Sequence, residues 1–280
     1  MKSIVFATLA LVAGVWSSAA ASETLVERGE YLVTGPGGCG NCHSPLGPNG
    51  FIKGKELAGR LVEKNPQFTA IAPNITPASR IAKWSDAELG RAIREGIRPD
   101  GSLVGPPMPF PMYRGISDDD LAAIVAYLRT VSAVEQDNPA STYNIPLPPA
   151  YGPPVTSVAS VSKDDKIKYG EYLAGPIAHC MECHTPFGPK GPMFETDFGR
   201  GGFEFHGPWG TSVASNLTSH ADGLADWSDE DLITMISTGK RPDGSPMLPP
   251  MPYPFLAKTT REDLEAMVAY LRTLPPLPDK

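Results

Sequence analysis

The stretch "GGCGNCHSPLGPNG" at Gly37–Gly50 returns in altered form as "AHCMECHTPFGPKG" at Ala178–Gly191. All four cysteines of the 280-residue chain fall in these two clusters, and a histidine directly follows each pair. Cys-x-x-Cys-His is the attachment signature of c-type haem, in which both sulfurs bond the porphyrin edge and the adjacent imidazole ligates iron. We therefore predict two covalently bound haems, attached at Cys39, Cys42, Cys180 and Cys183 and ligated by His43 and His184.

Disulfide bonds and zinc binding are two other uses of paired cysteines. Exported proteins commonly oxidise such pairs to disulfides. Two pairs that share one zinc ion usually lie about 15 to 20 residues apart, whereas Cys42 and Cys180 are 138 positions apart. Neither use explains the matched histidine after each pair, so haem attachment is the favoured interpretation.

The clusters belong to a longer internal repeat, which predicts duplicated domains. The matching segments, in chain order, are "ERGEYLV" and "KYGEYLA", "PNIT" and "SNLT", "WSDAEL" and "WSDEDL", "GIRPDGSLVGPPMPFP" and "GKRPDGSPMLPPMPYP", and "DDLAAIVAYLRTV" and "EDLEAMVAYLRTL". We place the first domain at 22–133 and the second at 161–280. Residues 134–160 are rich in proline and lack a helical period, which predicts a semi-rigid linker.

Helical signals dominate each half. The closing segments repeat apolar residues at helical spacing behind Ser117 and Thr260, which are good N-caps. The middle segments begin with Ser85-x-x-Glu88 and Ser228-x-x-Asp231, typical of a capping box, and end at glycines suited to a left-handed C-cap. No run alternates in the manner of a strand. The expectation is an all-α fold of two tandem domains, each built around its haem.

The N-terminus reads as an export signal. One basic residue precedes a short apolar run and then small residues, which predicts a signal peptide at 1–21 rather than a membrane span. A retained signal anchor is the alternative. Cleavage would place the protein in the periplasm with no transmembrane segment, and loss of Lys2 would take the net charge from −7 to −8. That charge argues against nucleic acid as a partner.

The candidates for the second axial ligand follow from a count of the histidines and methionines in each half. The mature first half has a single histidine, already used for attachment, and only two methionines, Met108 and Met112. A thioether is a soft neutral ligand that raises the reduction potential of haem iron. Met108 aligns with Met251, each within "PPMP", while Met112 aligns with a phenylalanine. We predict Met108 and Met251 as ligands, with Met247 as a competing ligand in the second half.

Taken together, these motifs resemble the diheme c-type cytochromes related to the cytochrome c subunits of membrane-linked alcohol, aldehyde and gluconate dehydrogenases. The resemblance covers nearly the whole mature chain. It implies two class I cytochrome c domains, with ligation at His43 with Met108 and at His184 with Met251.

The resemblance also implies a function. The expected role is single-electron transfer from a periplasmic dehydrogenase to the respiratory chain, as a subunit or a dedicated carrier rather than as an enzyme. The acceptor would be an oxidase, a quinone-linked complex or a small cytochrome. The alternative is a diheme redox enzyme, either a peroxidase or a thiosulfate-oxidising cytochrome. Such an enzyme needs an open coordination position on the iron or an unusual iron ligand. The methionine repeated in both halves argues against either.

Overall fold

The computed structural model describes residues 23–189 and 191–280, so the predicted signal peptide at 1–21 lies outside the described residues. In the first half the helices are α1 (Leu25–Thr34), α2 (Cys39–His43), α3 (Asp86–Arg94), α4 (Phe110–Tyr113) and α5 (Asp118–Thr130). In the second half they are α6 (Lys166–Tyr172), α7 (Cys180–Cys183), α8 (Asp229–Thr238), α9 (Tyr253–Leu256) and α10 (Arg261–Leu271). A 3₁₀ turn at Arg80–Lys83 precedes α3, and a π-helical turn at Leu173–Ile177 continues α6.

The all-α expectation is wrong, because 33% of the described residues are helical but 12% lie in strands that form several small sheets. The strands are β1 (Leu46–Gly47), β2 (Gly50–Phe51), β3 (Arg60–Lys64), β4 (Phe68–Ala72), β5 (Thr142–Tyr143), β6 (Phe187–Gly188), β7 (Gly191–Pro192), β8 (Glu204–Gly207) and β9 (Gly210–Val213). Each sheet is antiparallel. These strands are two to five residues long, too short for alternation to be visible in the sequence.

The helix starts follow the sequence signals. Ser85 and Ser228 both form capping boxes, and Ser117 and Thr260 cap α5 and α10 through their hydroxyl groups. A hydroxyl at the N-cap satisfies an amide that has no partner inside the helix. The predicted N-caps of these four helices are therefore confirmed.

Each half is organised by a close crossing of its first and last helices. α1 packs on α5, and α6 packs on α10. A Cβ atom added at Gly29 would lie 1.9 Å from the carbonyl oxygen of Ala123, and one added at Gly170 would lie 1.8 Å from that of Ala266. Only glycine allows the two backbones to come this close. The repeat at these positions therefore specifies the crossing.

The two halves dock through a reciprocal contact. Tyr31 in α1 donates a hydrogen bond from its hydroxyl to Asp263 of the other half at 2.6 Å, and Tyr172 in α6 donates to Asp120 at 2.7 Å. Each tyrosine oxygen also accepts the backbone N–H of the N-cap residue three positions before that aspartate. Matching residues thus contact each other in both directions, as across a two-fold axis.

The proline-rich segment 134–160 runs along the first half, and we call it the linker strap. Val134 accepts a hydrogen bond from the Asn74 side chain at 2.7 Å, and β5 pairs with β4. Further along, the ring of Tyr151 stacks on Phe110 with centroids 4.8 Å apart. The strap therefore covers one side of the first half from the sheet to α4.

Candidate haem sites

The two attachment motifs lie on the short helices α2 and α7. The residue before each helix is left-handed, with φ of 54° at Gly38 and 40° at His179. None of the four cysteines forms a disulfide, and burial raises the pKa of the Cys39, Cys180 and Cys183 thiols to about 12. Two free thiols and an imidazole within five residues fit covalent haem attachment. They do not support the disulfide alternative.

Each motif histidine is held by a backbone carbonyl. His43 Nδ1 lies 2.8 Å from the carbonyl oxygen of Pro73, and His184 Nδ1 lies 2.7 Å from that of Ser215. Because a carbonyl oxygen only accepts, Nδ1 carries the hydrogen and Nε2 keeps its lone pair. Burial lowers the pKa of both imidazoles, which favours the neutral ring. A neutral imidazole with a free Nε2 is the form that ligates iron.

The supporting loops are built the same way in both halves. Gly59 N–H donates to the His43 carbonyl at 2.6 Å, and Gly201 N–H donates to the His184 carbonyl at 2.8 Å. Both glycines have positive φ, 88° and 76°. Each histidine is thus held by two hydrogen bonds, one to its backbone carbonyl and one from its ring Nδ1.

The acceptors Pro73 and Ser215 act through their carbonyls, so side-chain patterns do not reveal them. The available signal is the repeated "NIT" and "NLT" that follows each one. Asn74 and Asn216 are buried, and each side-chain oxygen accepts from the N–H and hydroxyl of the threonine two residues on. Their amide groups donate to the carbonyls of Val134 and Leu277. These turns fix the carbonyls that orient the histidines.

The methionine loops have matching backbones. Phe110 N–H donates to the Met108 carbonyl, and Tyr253 N–H donates to the Met251 carbonyl, both at 2.9 Å. The Pro-Pro bond before each methionine is cis in both halves. The Met108 and Met251 side chains are half-buried, and Met108 packs against the buried core as do the competing Met112 and Met247.

The two sites meet at the interface between the halves. A Cβ atom at Gly40, inside the first attachment motif, would lie 2.8 Å from the ring of Phe255 in α9. In the other direction, the ring of His179 meets Tyr113 in α4 edge-on, with centroids 5.6 Å apart. The Cys42 thiol is also close enough to help raise the pKa of the Cys183 thiol. Each attachment helix therefore lies against the other half.

Residues that the haem interpretation does not use as ligands or attachment points contribute differently. Met181, between the second pair of cysteines, is fully buried and lies against Gly199, so it serves as core. Over residues 23–189 and 191–280, no three or more His, Cys, Asp and Glu side chains gather into a metal cluster. The zinc alternative therefore finds no support there. No helix in the same ranges is both long and apolar enough to cross a membrane.

The chain is similar in sequence to one protein family and to several known proteins. The family model described as Cytochrome c matches residues 26–132 and 170–275. The chain is 32% identical over 281 residues to the cytochrome c subunit of a quinone-dependent alcohol dehydrogenase from Gluconobacter oxydans, covering 92% of this chain and 56% of that one. It is 32% identical over 300 residues to the gluconate 2-dehydrogenase cytochrome c subunit of Pantoea cypripedii, covering 98% and 65%.

A third relative is shorter. The chain is 27% identical over 264 residues to a protein of Cereibacter sphaeroides named as a diheme cytochrome c-type, covering 89% of this chain and 85% of that one. It spans a little over half to about two-thirds of the length of the two dehydrogenase subunits. The resemblance drawn from the motifs is confirmed, and the chain belongs to the cytochrome c family, whose members bind haem and transport electrons.

Proposed function

We propose that this protein is a periplasmic diheme cytochrome c that passes single electrons from a dehydrogenase to the respiratory chain. The observation that carries the proposal is the duplicated Cys-x-x-Cys-His helix, with each histidine oriented by a carbonyl at 2.7 to 2.8 Å. The names of the dehydrogenase relatives support a donor of that class, one that oxidises a small organic substrate. The acceptor would be an oxidase, a quinone-linked complex or a small cytochrome.

Within this proposal each group has one task. A haem bound at each site would supply one-electron chemistry at its iron. The thiols of Cys39 and Cys42 would anchor one haem by thioether bonds, and those of Cys180 and Cys183 would anchor the other. His43 and His184 would ligate the iron through Nε2, and Met108 and Met251 would ligate it through the thioether sulfur.

The proposal includes electron exchange between the haems inside one molecule. Each attachment helix lies against the other half, and the reciprocal tyrosine contacts hold the halves in one arrangement. Two haems on one rigid scaffold can span a gap between donor and acceptor. We retain 1–21 as signal peptide, 22–133 and 161–280 as domains, and the linker strap between them.

Haem content is the first test. Intact-mass spectrometry of protein made in a host with c-type maturation is expected to give the mature chain plus two haems. Replacing Cys42 by Ala should weaken attachment in the first half only, and replacing Cys183 by Ala should do so in the second half only. A mass that corresponds to disulfides without haem would overturn the proposal.

The methionine assignment has matched controls in each half. Met108→Ala should open one haem to carbon monoxide and lower its potential, while Met112→Ala should not. Likewise Met251→Ala should open the other haem, and Met247→Ala should not. If the control variant behaves as the open one in either half, the assignment there is wrong.

Electron transfer is tested by reduction of the purified protein. A quinone-type dehydrogenase with its substrate should reduce both haems, and the rate should fall as salt rises if the partners meet by electrostatic steering. A rate that ignores ionic strength indicates a permanently docked subunit. Turnover of peroxide or thiosulfate, without reduction by any such dehydrogenase, would favour the enzyme alternative.

A further inference from the structure

The two attachment motifs have matching backbones but different charges. Asn41 precedes the second cysteine of the first motif, and Glu182 takes that place in the second motif. Amide and carboxylate side chains are similar in size, but only the carboxylate is charged. The second motif therefore carries a negative charge of its own between its cysteines, and the first motif does not.

A cation lies against the first motif. Arg60, the first residue of β3, donates to the carbonyl oxygen of Asn41 from Nη2 at 2.7 Å and from Nε at 3.1 Å. Within residues 23–189 and 191–280, no carboxylate oxygen lies within 4.0 Å of this guanidinium, so no ion pair neutralises it. The Arg60 side chain is half-buried, where salt screens a charge less than it does at the surface.

The charge of Arg60 acts on both groups that would bond the first haem at this motif. Burial is the main cause of the lowered pKa of the His43 imidazole, and the Arg60 charge lowers it further. Burial raises the pKa of the Cys42 thiol, and the Arg60 charge opposes that increase. A positive charge that reaches an axial ligand and an attachment point also reaches the haem between them.

The second half has no cation at the corresponding position. Gly201 N–H donates to the His184 carbonyl, and the next residue is Gly202, where the first half has its arginine. The preceding Arg200 is neutralised by an ion pair with Asp197. Burial lowers the pKa of the His184 imidazole, and no charged side chain of the described residues adds to that decrease.

The carboxylate of Glu182 acts in the opposite direction. Burial is the main cause of the raised pKa of the Cys183 thiol, and the Glu182 charge raises it further. The same carboxylate reaches Cys42 across the interface between the halves, where Arg60 opposes it. Its partner is the His179 ring at 3.2 Å, which cancels the charge only when protonated. With a neutral imidazole, the second motif has a net negative charge beside it.

The halves as wholes differ in the same direction. Residues 23–133 hold 12 basic and 12 acidic side chains, whereas residues 161–280 hold 11 basic and 17 acidic, a net charge of −6. Charges on the surface are largely screened beyond a Debye length of about 8 to 10 Å. The charges at the two motifs therefore contribute more to the difference between the sites than the surface charges do.

We infer that Arg60 and Glu182 make the first haem the one of higher potential, so that electrons run from the second half to the first. Ferric haem carries one more positive charge than ferrous haem, so a nearby cation favours the ferrous form and raises the reduction potential, and a carboxylate lowers it. The ferrous haem of the second half gives one electron to the ferric haem of the first, and no proton moves and no bond changes. The inference rests on the proposed function, because it needs two haems that exchange electrons.

Spectroelectrochemical titration of the purified holoprotein at pH 8, where free imidazole is neutral, tests the inference. The wild type should show two midpoint potentials. Arg60→Gln should lower the higher one by about a 10-fold change in the reduction equilibrium, which is about 59 mV for one electron. Arg60→Lys keeps the positive charge and should keep most of the potential, whereas a role in shape alone would make both variants alike.

Three further variants separate local from general effects of charge. Glu182→Gln should raise the lower potential more than the higher one. Asn41→Asp places a carboxylate at the matching position of the first motif and should lower the higher potential, with Arg60 still present to hold the loop. Lys64→Gln removes an exposed charge from the same strand as Arg60 and should change either reduction equilibrium by less than about 2-fold.

Four results would overturn the inference: two coincident potentials in the wild type, a shift of the lower potential in Arg60→Gln, equal shifts in Arg60→Gln and Arg60→Lys, or an equally large shift in Lys64→Gln. The potentials are measured without any dehydrogenase, so this test can fail while the proposed function stands. Conversely, a protein that no dehydrogenase reduces can still show the expected order of potentials.

Discussion

Asp120 and Asp263 occupy matching positions, yet their surroundings differ. Asp120 is paired with Arg28 at 2.8 Å and accepts from Tyr172. Asp263 is 2% exposed, and no Lys, Arg or His nitrogen among the described residues lies within 4.0 Å of its carboxylate. It accepts from Tyr31 and, at 3.5 Å, from Tyr169, which stands where the first half has its arginine. The tyrosine–aspartate hydrogen bond is thus present in both directions, but only Asp120 also has a cation beside it.

A second contrast concerns what surrounds the matched scaffold. The histidine carbonyls, the methionine loops and the helix crossings are built alike in the two halves. The linker strap, the sheet edge and the charge are not. The elements around the two Cys-x-x-Cys-His motifs are therefore common to both halves, and the elements on the periphery differ.

The helix crossings give the largest expected effect. Gly29→Ala and Gly170→Ala each force a methyl group into a carbonyl less than 2 Å away, so each should lower the free energy of unfolding by about 3 kcal/mol. Denaturation followed by circular dichroism measures this. Gly175→Ala is the control, because no atom of the described residues outside its own turn lies within 4 Å of the added group. A mild effect at only one crossing would break the equivalence of the halves.

The interface tyrosines give the next effect. Tyr31→Phe should lower the free energy of unfolding by about 2 kcal/mol, and Tyr172→Phe should lower it by about 1 kcal/mol. The reason is that Asp120 still pairs with Arg28 once its tyrosine hydrogen bond is lost, whereas Asp263 has no cation among the described residues to compensate for the loss. Unfolding of the holoprotein measures both. Tyr127→Phe should be neutral, since its hydroxyl makes no hydrogen bond to the described residues. Equal costs at Tyr31 and Tyr172 would show that the arginine does not matter.

The sequence predicted the long helices because their signals are local. Each signal involves residues that are close in sequence: apolar residues three or four positions apart, a hydroxyl at the N-cap, or a glycine at the helix end. The internal repeat shows each of these signals twice. The same locality made Cys-x-x-Cys-His readable as a haem site. The four helices that these signals specify are present at the expected places.

The strands and the interface could not be read in the same way. β5 pairs with β4 from more than 70 residues away, and neither strand alternates for long enough to stand out. Tyr31 and Asp263 are 232 positions apart, so their contact depends on how the halves dock. The carbonyls that orient the histidines carry no side-chain signature. Which methionine ligates iron in each half stays a prediction.

The second half contains a carboxylate, Asp197, whose contribution to the free energy of unfolding should fall at acidic pH. Hydrogen bonds from Thr196, Arg200 and Lys280 hold the pKa of Asp197 well below its usual range. A lowered folded-state pKa means that this carboxylate stabilises the protein above the unfolded pKa of about 4 and loses that effect as pH falls toward the folded value. The matching position in the first half is Lys55, which has no such role.

Asp197→Asn should therefore lower the free energy of unfolding by about 1 kcal/mol at pH 7, and the difference from wild type should shrink steadily below pH ~4. Denaturant unfolding at several pH values measures the gap. Asp226→Asn, which changes an exposed carboxylate outside the salt bridges of the described residues, is the control. A gap that is constant with pH would mean that packing, not charge, is lost at Asp197.

The smallest expected difference in stability is between the two capping boxes. Ser85→Ala and Ser228→Ala each remove the hydroxyl that accepts an amide in the first turn, at 3.2 and 3.1 Å, and each should cost about 1 kcal/mol. The reciprocal bond differs, because Glu88 reaches the Ser85 amide at 2.7 Å while the shorter Asp231 reaches the Ser228 amide at 3.1 Å. Glu88→Ala should then lower the melting temperature more than Asp231→Ala does. The opposite order would mean that side-chain length does not limit this cap and that the two halves are equivalent here.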